Sequence, residues 1–326
     1  MPYSAARRRA LLGAASFLAP MTLPAWGQSF PTRPITLIVP SSAGGGTDAI
    51  ARALGQELSK KLGQSVVIDN AAGASGSIGS AKAAKALPDG HTLLVANSGV
   101  VLATLVQANP GYALSELAPV ANLASSPQSL VARPGFPASN VEQLIALAKA
   151  RPGRISVGVS GLAALPALAV SMLEDAAQID LLKVPYKGAA QVMQDLLGGQ
   201  IDLGVTALLN SLGPARAGQV KMIGLMSQER APEAPEFPLF AETAATKQVS
   251  LDIWIGLFGP AGIPAPVVGQ INAAVQSVLR DPVYRAARAK AGEQTATPGT
   301  ALEFSRFVTA ETARYRAAAK RLPMEQ

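Results

Sequence analysis

The strongest constraint on this chain is a strand, a helix and a strand in succession between Ile35 and Ile68. Ile35-Thr-Leu-Ile-Val39 is a β-branched and aliphatic run that stops at Pro40, the pattern of a buried strand. Ser41 to Thr47 is a glycine-rich loop. A helix opens at Asp48, and Ile50, Leu54, Leu58 and Leu62 recur every fourth residue, which gives it one buried face. Gly63 ends the helix and Val66-Val67-Ile68 starts the next strand. Strand–helix–strand order implies parallel pairing, and so an α/β protein.

The pattern recurs. Ser77 to Ala86 reads as a small-residue helix and His91 to Ala96 as a strand. Further on, Ile155–Val159, Leu181–Val184, Ile201–Val205 and Lys221–Met226 read as strands, with helices over Ala164–Glu174 and Ala189–Leu197. Val39-Pro40, loop, helix, Gly63-Gln64 and strand are echoed by Val184-Pro185, loop, helix, Gly199-Gln200 and strand. Nothing repeats at a short fixed period, so the echo predicts two similar α/β lobes and not a solenoid. After the Pro/Gly-rich turn Pro260–Pro266, helices are expected over Val267–Leu279, Pro282–Ala291 and Thr300–Arg321, with no strand between them. Linker-like stretches at Ser125-Ser126-Pro127 and Ser227–Pro238 mark two crossings. They predict a first lobe of residues 28–123 and 228–326 and an inserted lobe of 124–227, with a ligand cleft between them.

The first 27 residues are expected to be a signal peptide. Arg7, Arg8 and Arg9 precede an apolar stretch from Ala10 to Leu23, and Ala25-Trp26-Gly27 offers small residues for a cut before Gln28. The apolar stretch is shorter than the roughly 20 residues a bilayer span needs. The arginines fit either a general or a twin-arginine export signal. The remainder has 25 basic and 21 acidic side chains, so net charge falls from +7 to +4. Its lysines and arginines are scattered, which suits small anions and gives no nucleic-acid stripe. The composition, 49% hydrophobic and 15% charged, supports a large core.

Several chemistries are poorly supplied. There is no cysteine and one histidine, His91, at the edge of an apolar strand. A Ser-His-Asp triad would have to use that residue, and a zinc site would lack ligands. Gly44-Gly45-Gly46-Thr47-Asp48 lies between a strand and a helix, where N–H groups and the helix dipole favour an anion. It has neither the Gly-Lys-Ser/Thr of a phosphate loop nor a dinucleotide fingerprint. Asp48 reads either as a helix cap or as a ligand contact. A second glycine-rich stretch, Asn70 to Gly76, occupies the same kind of position. Opposite them stand Ser160-Gly161-Leu162 and Tyr186-Lys187-Gly188; Lys187 reads as solvated or as an anion attractor. Trp254 reads as core or cleft edge.

These residues, in this order, resemble the solute receptors of tripartite tricarboxylate transporters, the Bug receptors. The markers are Pro31-x-Arg33-Pro34-Ile35, Val39-Pro40 with Gly44-Gly45 and Asp48, Leu62-Gly63-Gln64, and Asn70-x-x-Gly73-Ala74-x-Gly76-x-Ile78-Gly79. They continue with Pro88-Asp89-Gly90-x-Thr92-Leu93, Val184-Pro185-Tyr186-Lys187-Gly188, Gly198-Gly199-Gln200-Ile201-Asp202 and Trp254-x-Gly256-Leu257-Phe258-x-Pro260-Ala261-Gly262. The resemblance implies a type II periplasmic-binding-protein fold that closes by a hinge, no cofactor and no enzymatic activity. It implies an exported, periplasmic, monomeric receptor that is not membrane-embedded and hands a small carboxylate to a two-component permease. By position, one wall of the site would be Ser41, Ser42, Ala43, Gly44, Gly45, Thr47 and Asp48 with Gly73, Ala74 and Ser75. Ser98 joins the set, and the facing lobe would supply Ser160, Gly161, Leu162 and Thr206. Where the family usually has Asn-Arg-Pro-Gly-Ala-Gly-Gly, this chain has Ala71, Ala72 and Ser75 as departures; Ser41-Ser42-Ala43 replaces Phe-Pro-Pro. Ser160-Gly161-Leu162-Ala163-Ala164 replaces Ser-Gly-x-Gly-Thr. The lost hydroxyl predicts a ligand with one carboxylate and a less polar far end. A sensor for a membrane signalling partner and a hydrolase or lyase on the same scaffold are the alternatives.

Overall fold

The computed structural model describes residues 30–162, 164–186, 188–291, 293–320 and 322. The signal peptide expected at 1–27 and the candidate Lys187 lie outside the described residues. The first elements are β1 (Ile35–Val39), α1 (Gly46–Leu62), β2 (Val66–Asn70), α2 (Ser77–Ala84), β3 (Thr92–Asn97), α3 (Gly99–Val106) and β4 (Leu117–Ala132). Next come α4 (Val141–Ala150), β5 (Ser156–Val159), α5 (Leu165–Ala177), β6 (Leu182–Pro185), α6 (Ala189–Leu197), β7 (Leu203–Ala207), α7 (Leu208–Arg216) and β8 (Lys221–Met226). The chain closes with β9 (Asp252–Pro260), α8 (Ala265–Leu279), α9 (Pro282–Lys290), β10 (Gln294–Thr295) and α10 (Ala301–Ala319).

The first unit forms as its pattern dictates. Ile50, Leu54 and Leu58 of α1 are buried, and Gly63 stops the helix at φ 69° with its N–H bonded to the Ser59 carbonyl. Only glycine adopts that left-handed turn without a Cβ penalty. The echo behaves alike, for Gly199 after α6 has φ 71°.

β4 organises the sheet. Its residues 117–127 pair antiparallel with β9, and residues 128–132 pair antiparallel with β7 on one side and β8 on the other. One ladder runs β2-β1-β3-β9-β4-β10, the other β8-β4-β7-β5-β6. The expected parallel order holds for β2-β1-β3 and β6-β5-β7. The strands in the middle run antiparallel because they carry the chain from one ladder to the other and back. Ser125-Ser126-Pro127, expected as a linker, is therefore the interior of a 16-residue strand. The return crossing is also hydrogen-bonded: the Leu251 N–H donates to the Met226 carbonyl, and the Gln128 N–H to the Leu251 carbonyl. The C-terminal helices, expected without strands between them, are interrupted by the two-residue β10.

Helices cover both faces. α1 and α8 pack on one face of the first ladder, where Leu54, Leu58 and Val275 meet Ile35, Leu37 and Leu257. On the other face one apolar core continues through both ladders, from Val101, Phe258, Phe304 and Tyr315 to Leu144, Leu168 and Val205. A third cluster lies under α6 and α7. Residues 228–251 pack by β8 and α4: Leu225 bridges Leu239, and Thr243 Oγ1 donates to Glu142.

Candidate ligand-binding cleft

In both ladders the loops at the C-terminal ends of the parallel strands point toward the β4–β9 crossing. A cleft of about 250 Å³ opens there, lined by Ser75, Asn97, Gly99, Leu102, Ala103, Gln107, Ser160, Ala164–Pro166, Ala189, Thr206, Ala207, Asn210 and Ile253. A narrow recess of about 40 Å³ shares Ser75 and Asn97 with it and reaches Pro40, Ser41, Thr47, Gly76, Ser80, Ala96 and Val100. Among the described residues no Asp, Glu, Lys or Arg lines either space.

The helices explain what polarity remains. α1, α2, α3, α5, α6 and α7 each follow a parallel strand, and each contributes a lining residue. In none of the six does the N-cap residue's own side chain accept from the first turn, although at α3 the preceding Asn97 Oδ1 takes the Gly99 N–H. Of the helices that start elsewhere, α4, α9 and α10 are capped by Asn140, Asp281 and Thr300, while α8, which begins after Pro264, is not. A helix N-terminus has N–H groups without intrahelical partners and a partial positive charge. Here α1, α2 and α3 present such ends at the recess, and α3, α5, α6 and α7 at the adjoining cleft.

Asp48 braces the first glycine-rich loop. Its Oδ2 accepts from the Gly44 N–H at 2.8 Å and from Arg52 Nε at 2.9 Å, and its Oδ1 accepts from Asn70 Nδ2 at 2.9 Å. The Asn70 amide also donates to the Ser41 carbonyl at 3.2 Å. Burial alone would push the carboxyl up, but the hydrogen bonds from Arg52, Gly44 and Asn70 outweigh it and hold Asp48 at about 2. The first glycine-rich loop is thereby tied to the end of β2.

The remaining expected residues divide. Ser41, Thr47 and Ser75 line the recess, and Ser75, Ser160 and Thr206 line the cleft. Ser42, Ala43, Gly44, Gly45, Gly73 and Ala74 are exposed on the rim, outside both spaces, as is Leu162, 39% exposed, beside Gly161. Ser98 is fully buried, with its hydroxyl beside that of Tyr315 in α10, so Asn97 and not Ser98 faces the cleft. His91 sits at the opposite end of β3, where its Nε2 accepts from the Thr32 N–H at 3.2 Å.

Local geometry fixes the polar groups. Ser75 has φ 55° and follows Ala74 at φ 45°, two left-handed residues in a row, each costing on the order of 1 kcal/mol. Gly79 lets α2 reach β1, for a Cβ there would lie 2.7 Å from the Ala71 carbonyl and 2.8 Å from Pro40 Cα. Asn97 Oδ1 accepts from the Gly99 N–H, Gln107 is held by Ser77 Oγ, and Asn210 Nδ2 donates to Thr206 Oγ1. Asn97, Gln107, Asn210 and Ile253 were not expected from the sequence. The Asn97-Ser98-Gly99 step at a strand end was a usable signal for the first; the others come from unmarked stretches.

A model of the tripartite tricarboxylate transporter family receptor matches residues 50–323. The chain belongs to that family. The resemblance seen in the sequence is thus borne out. A relative from Pseudomonas sp. (strain P51), the UPF0065 protein in the tcbD-tcbE intergenic region, is 35% identical over 294 residues, 89% of this chain and 87% of its own length. The solved structure of the periplasmic binding protein BugD is similar at 32% identity and TM-score 0.79, over 89% of this chain and 98% of that one. R. palustris Rpa4515 with adipate is similar at 31% identity and TM-score 0.82, over 89% and 97%. The fold is therefore that of the periplasmic binding proteins, and the tricarboxylate-type receptor family is one of solute-binding receptors and not of enzymes.

Proposed function

We propose that this receptor captures a small carboxylate between two lobes, residues 30–127 with 252–322 and residues 128–251, and delivers it to a membrane permease. The lobe division follows the switch of β4 partners at Pro127/Gln128 and the packing of residues 228–251 on β8 and α4. It moves 228–251, which the sequence placed with the first lobe, to the second. The observation that carries the function is the convergence of six helix N-termini, five of them without a side-chain cap, on a cleft and its recess lined by no charged side chain among the described residues. Such a space favours an anion held by N–H groups. A relative solved with adipate supports the same ligand class. The arginine-led, apolar start of the chain supports export to the periplasm.

The test is native mass spectrometry of the freshly purified chain, then release of any bound molecule by denaturation. A released carboxylate that raises the melting temperature on re-addition, in a concentration-dependent way, is the expected result. A protein that carries nothing and is stabilised by no mono-, di- or tricarboxylate would refute the proposal.

A further inference from the structure

The recess and the wide chamber differ in size, about 40 against 250 Å³, and in where their apolar groups lie. Of the recess residues, Ser41, Thr47, Ser75, Ser80 and Asn97 are polar, and Ser41 Oγ is buried without a hydrogen-bond partner. Its volume of about 40 Å³ is a small fraction of the chamber's 250 Å³ and leaves room for one small polar group, such as a carboxylate. The wide chamber has polar groups such as Asn97, Gln107 and Asn210, and an apolar wall of Leu102, Ala103, Leu165, Pro166, Ala189 and Ile253. The end of α5 facing the ligand is the weakest anion site of the six. Its N-cap is Ala164, which offers a methyl where Ser or Thr would offer a hydroxyl, and Pro166 near its start has no N–H. The polar groups left on that side are Ser160, Thr206 and Asn210, and the last two are bonded to each other.

We infer that the ligand is a monocarboxylate with an apolar body, its carboxylate in the recess beside Ser41 and Ser75 and its aliphatic or aromatic body in the wide chamber against α5. This rests on the carboxylate-receptor function proposed above. Ala164 and Pro166 set the specificity, because a second carboxylate reaching α5 would be desolvated there with too few donors.

Isothermal titration of the purified chain with hexanoate, benzoate, adipate, malate and citrate tests it. Hexanoate and adipate have the same number of carbons and differ in the second carboxylate. Hexanoate or benzoate is expected to bind at least about tenfold tighter than adipate, malate or citrate. In Ala164→Thr, which restores a capping hydroxyl, the preference for hexanoate over adipate should shrink at least threefold, while Ser41→Ala should weaken both alike. Adipate, malate or citrate binding as tightly as the monocarboxylates would overturn the inference and leave the receptor function standing. No binding of any of the five would overturn both. An unchanged hexanoate-to-adipate ratio in folded Ala164→Thr would overturn the assignment of α5 as the discriminating end.

Discussion

At the scale of residues, two aspartates make opposite pH predictions. Asp48 titrates near 2 in the fold and near 3.8 as a free side chain, because of Arg52, Gly44 and Asn70. The stability it contributes, about 2 kcal/mol, is present above pH 4 and lost as pH falls from about 4 to about 2. Asp252, at the start of β9, is pushed up to about 6 by burial, with Arg314 pulling it down and Glu311 pushing it up. The native state then holds a proton that the unfolded chain has released, so stability falls as pH rises from about 4 to about 6. Urea melts across pH 2–8 should show Asp48→Asn flattening the acid limb. Asp252→Asn should remove the fall above pH 4 and be more stable than the parent at pH 7 by about 2 kcal/mol. An Asp252→Asn protein less stable at pH 7 would contradict the burial argument.

At the scale of elements, α7 touches α1 across the cleft. A Cβ on Gly46 would come 3.2 Å from Leu209 Cδ1, so the N-terminus of α1 has no room to spare where the lobes meet. Gly46→Ala should weaken ligand binding a few-fold, about 1 kcal/mol, with little change in the melting temperature of the free protein. Adding Leu209→Ala should recover most of that loss, and the double-mutant cycle measures the coupling. Additive effects would mean that the contact plays no part in the bound state. The elements also differ in how well the sequence announced them. β1, α1 and β2 were readable because periodicity, a proline stop and Gly63 agree. β4 was not, since Pro119, Ser125, Ser126 and Pro127 read as a linker. The strand tolerates its prolines because Pro119 lies at a register shift and Pro127 at the change of partners, where ladder hydrogen bonds are interrupted. α3, Gly-Val-Val-Leu-Ala-Thr-Leu-Val, is apolar on nearly every side, so it shows no helical stripe. The glycine-rich loops were visible as local turns. The cleft residues Asn210 and Ile253 depend on tertiary placement that no local signal carries.

At the scale of the whole molecule, the lobes share both a strand and a core. β4 belongs to both ladders, and one apolar cluster passes from Phe258 and Phe304 to Leu168 and Val205 without a break. Unfolding one lobe alone would expose part of the other's core, so thermal unfolding should be a single transition with calorimetric and van't Hoff enthalpies in agreement. Two separated transitions in a calorimeter would show that the shared strand does not couple the lobes.

Trp254 stands on β9 directly beside the cleft-lining Ile253. It is 1% exposed and ringed by Phe258, Phe304 and Phe307 at 5.7–6.2 Å. The sequence has two tryptophans, and the other, Trp26, lies in the expected signal peptide. An exported chain would thus fluoresce from a single indole set on β9, the strand that pairs with the shared β4. The neighbour of the strand that makes the fold mechanically continuous thus gives the protein a built-in optical probe, and a change in its emission on adding ligand would report occupancy of the cleft without an attached dye.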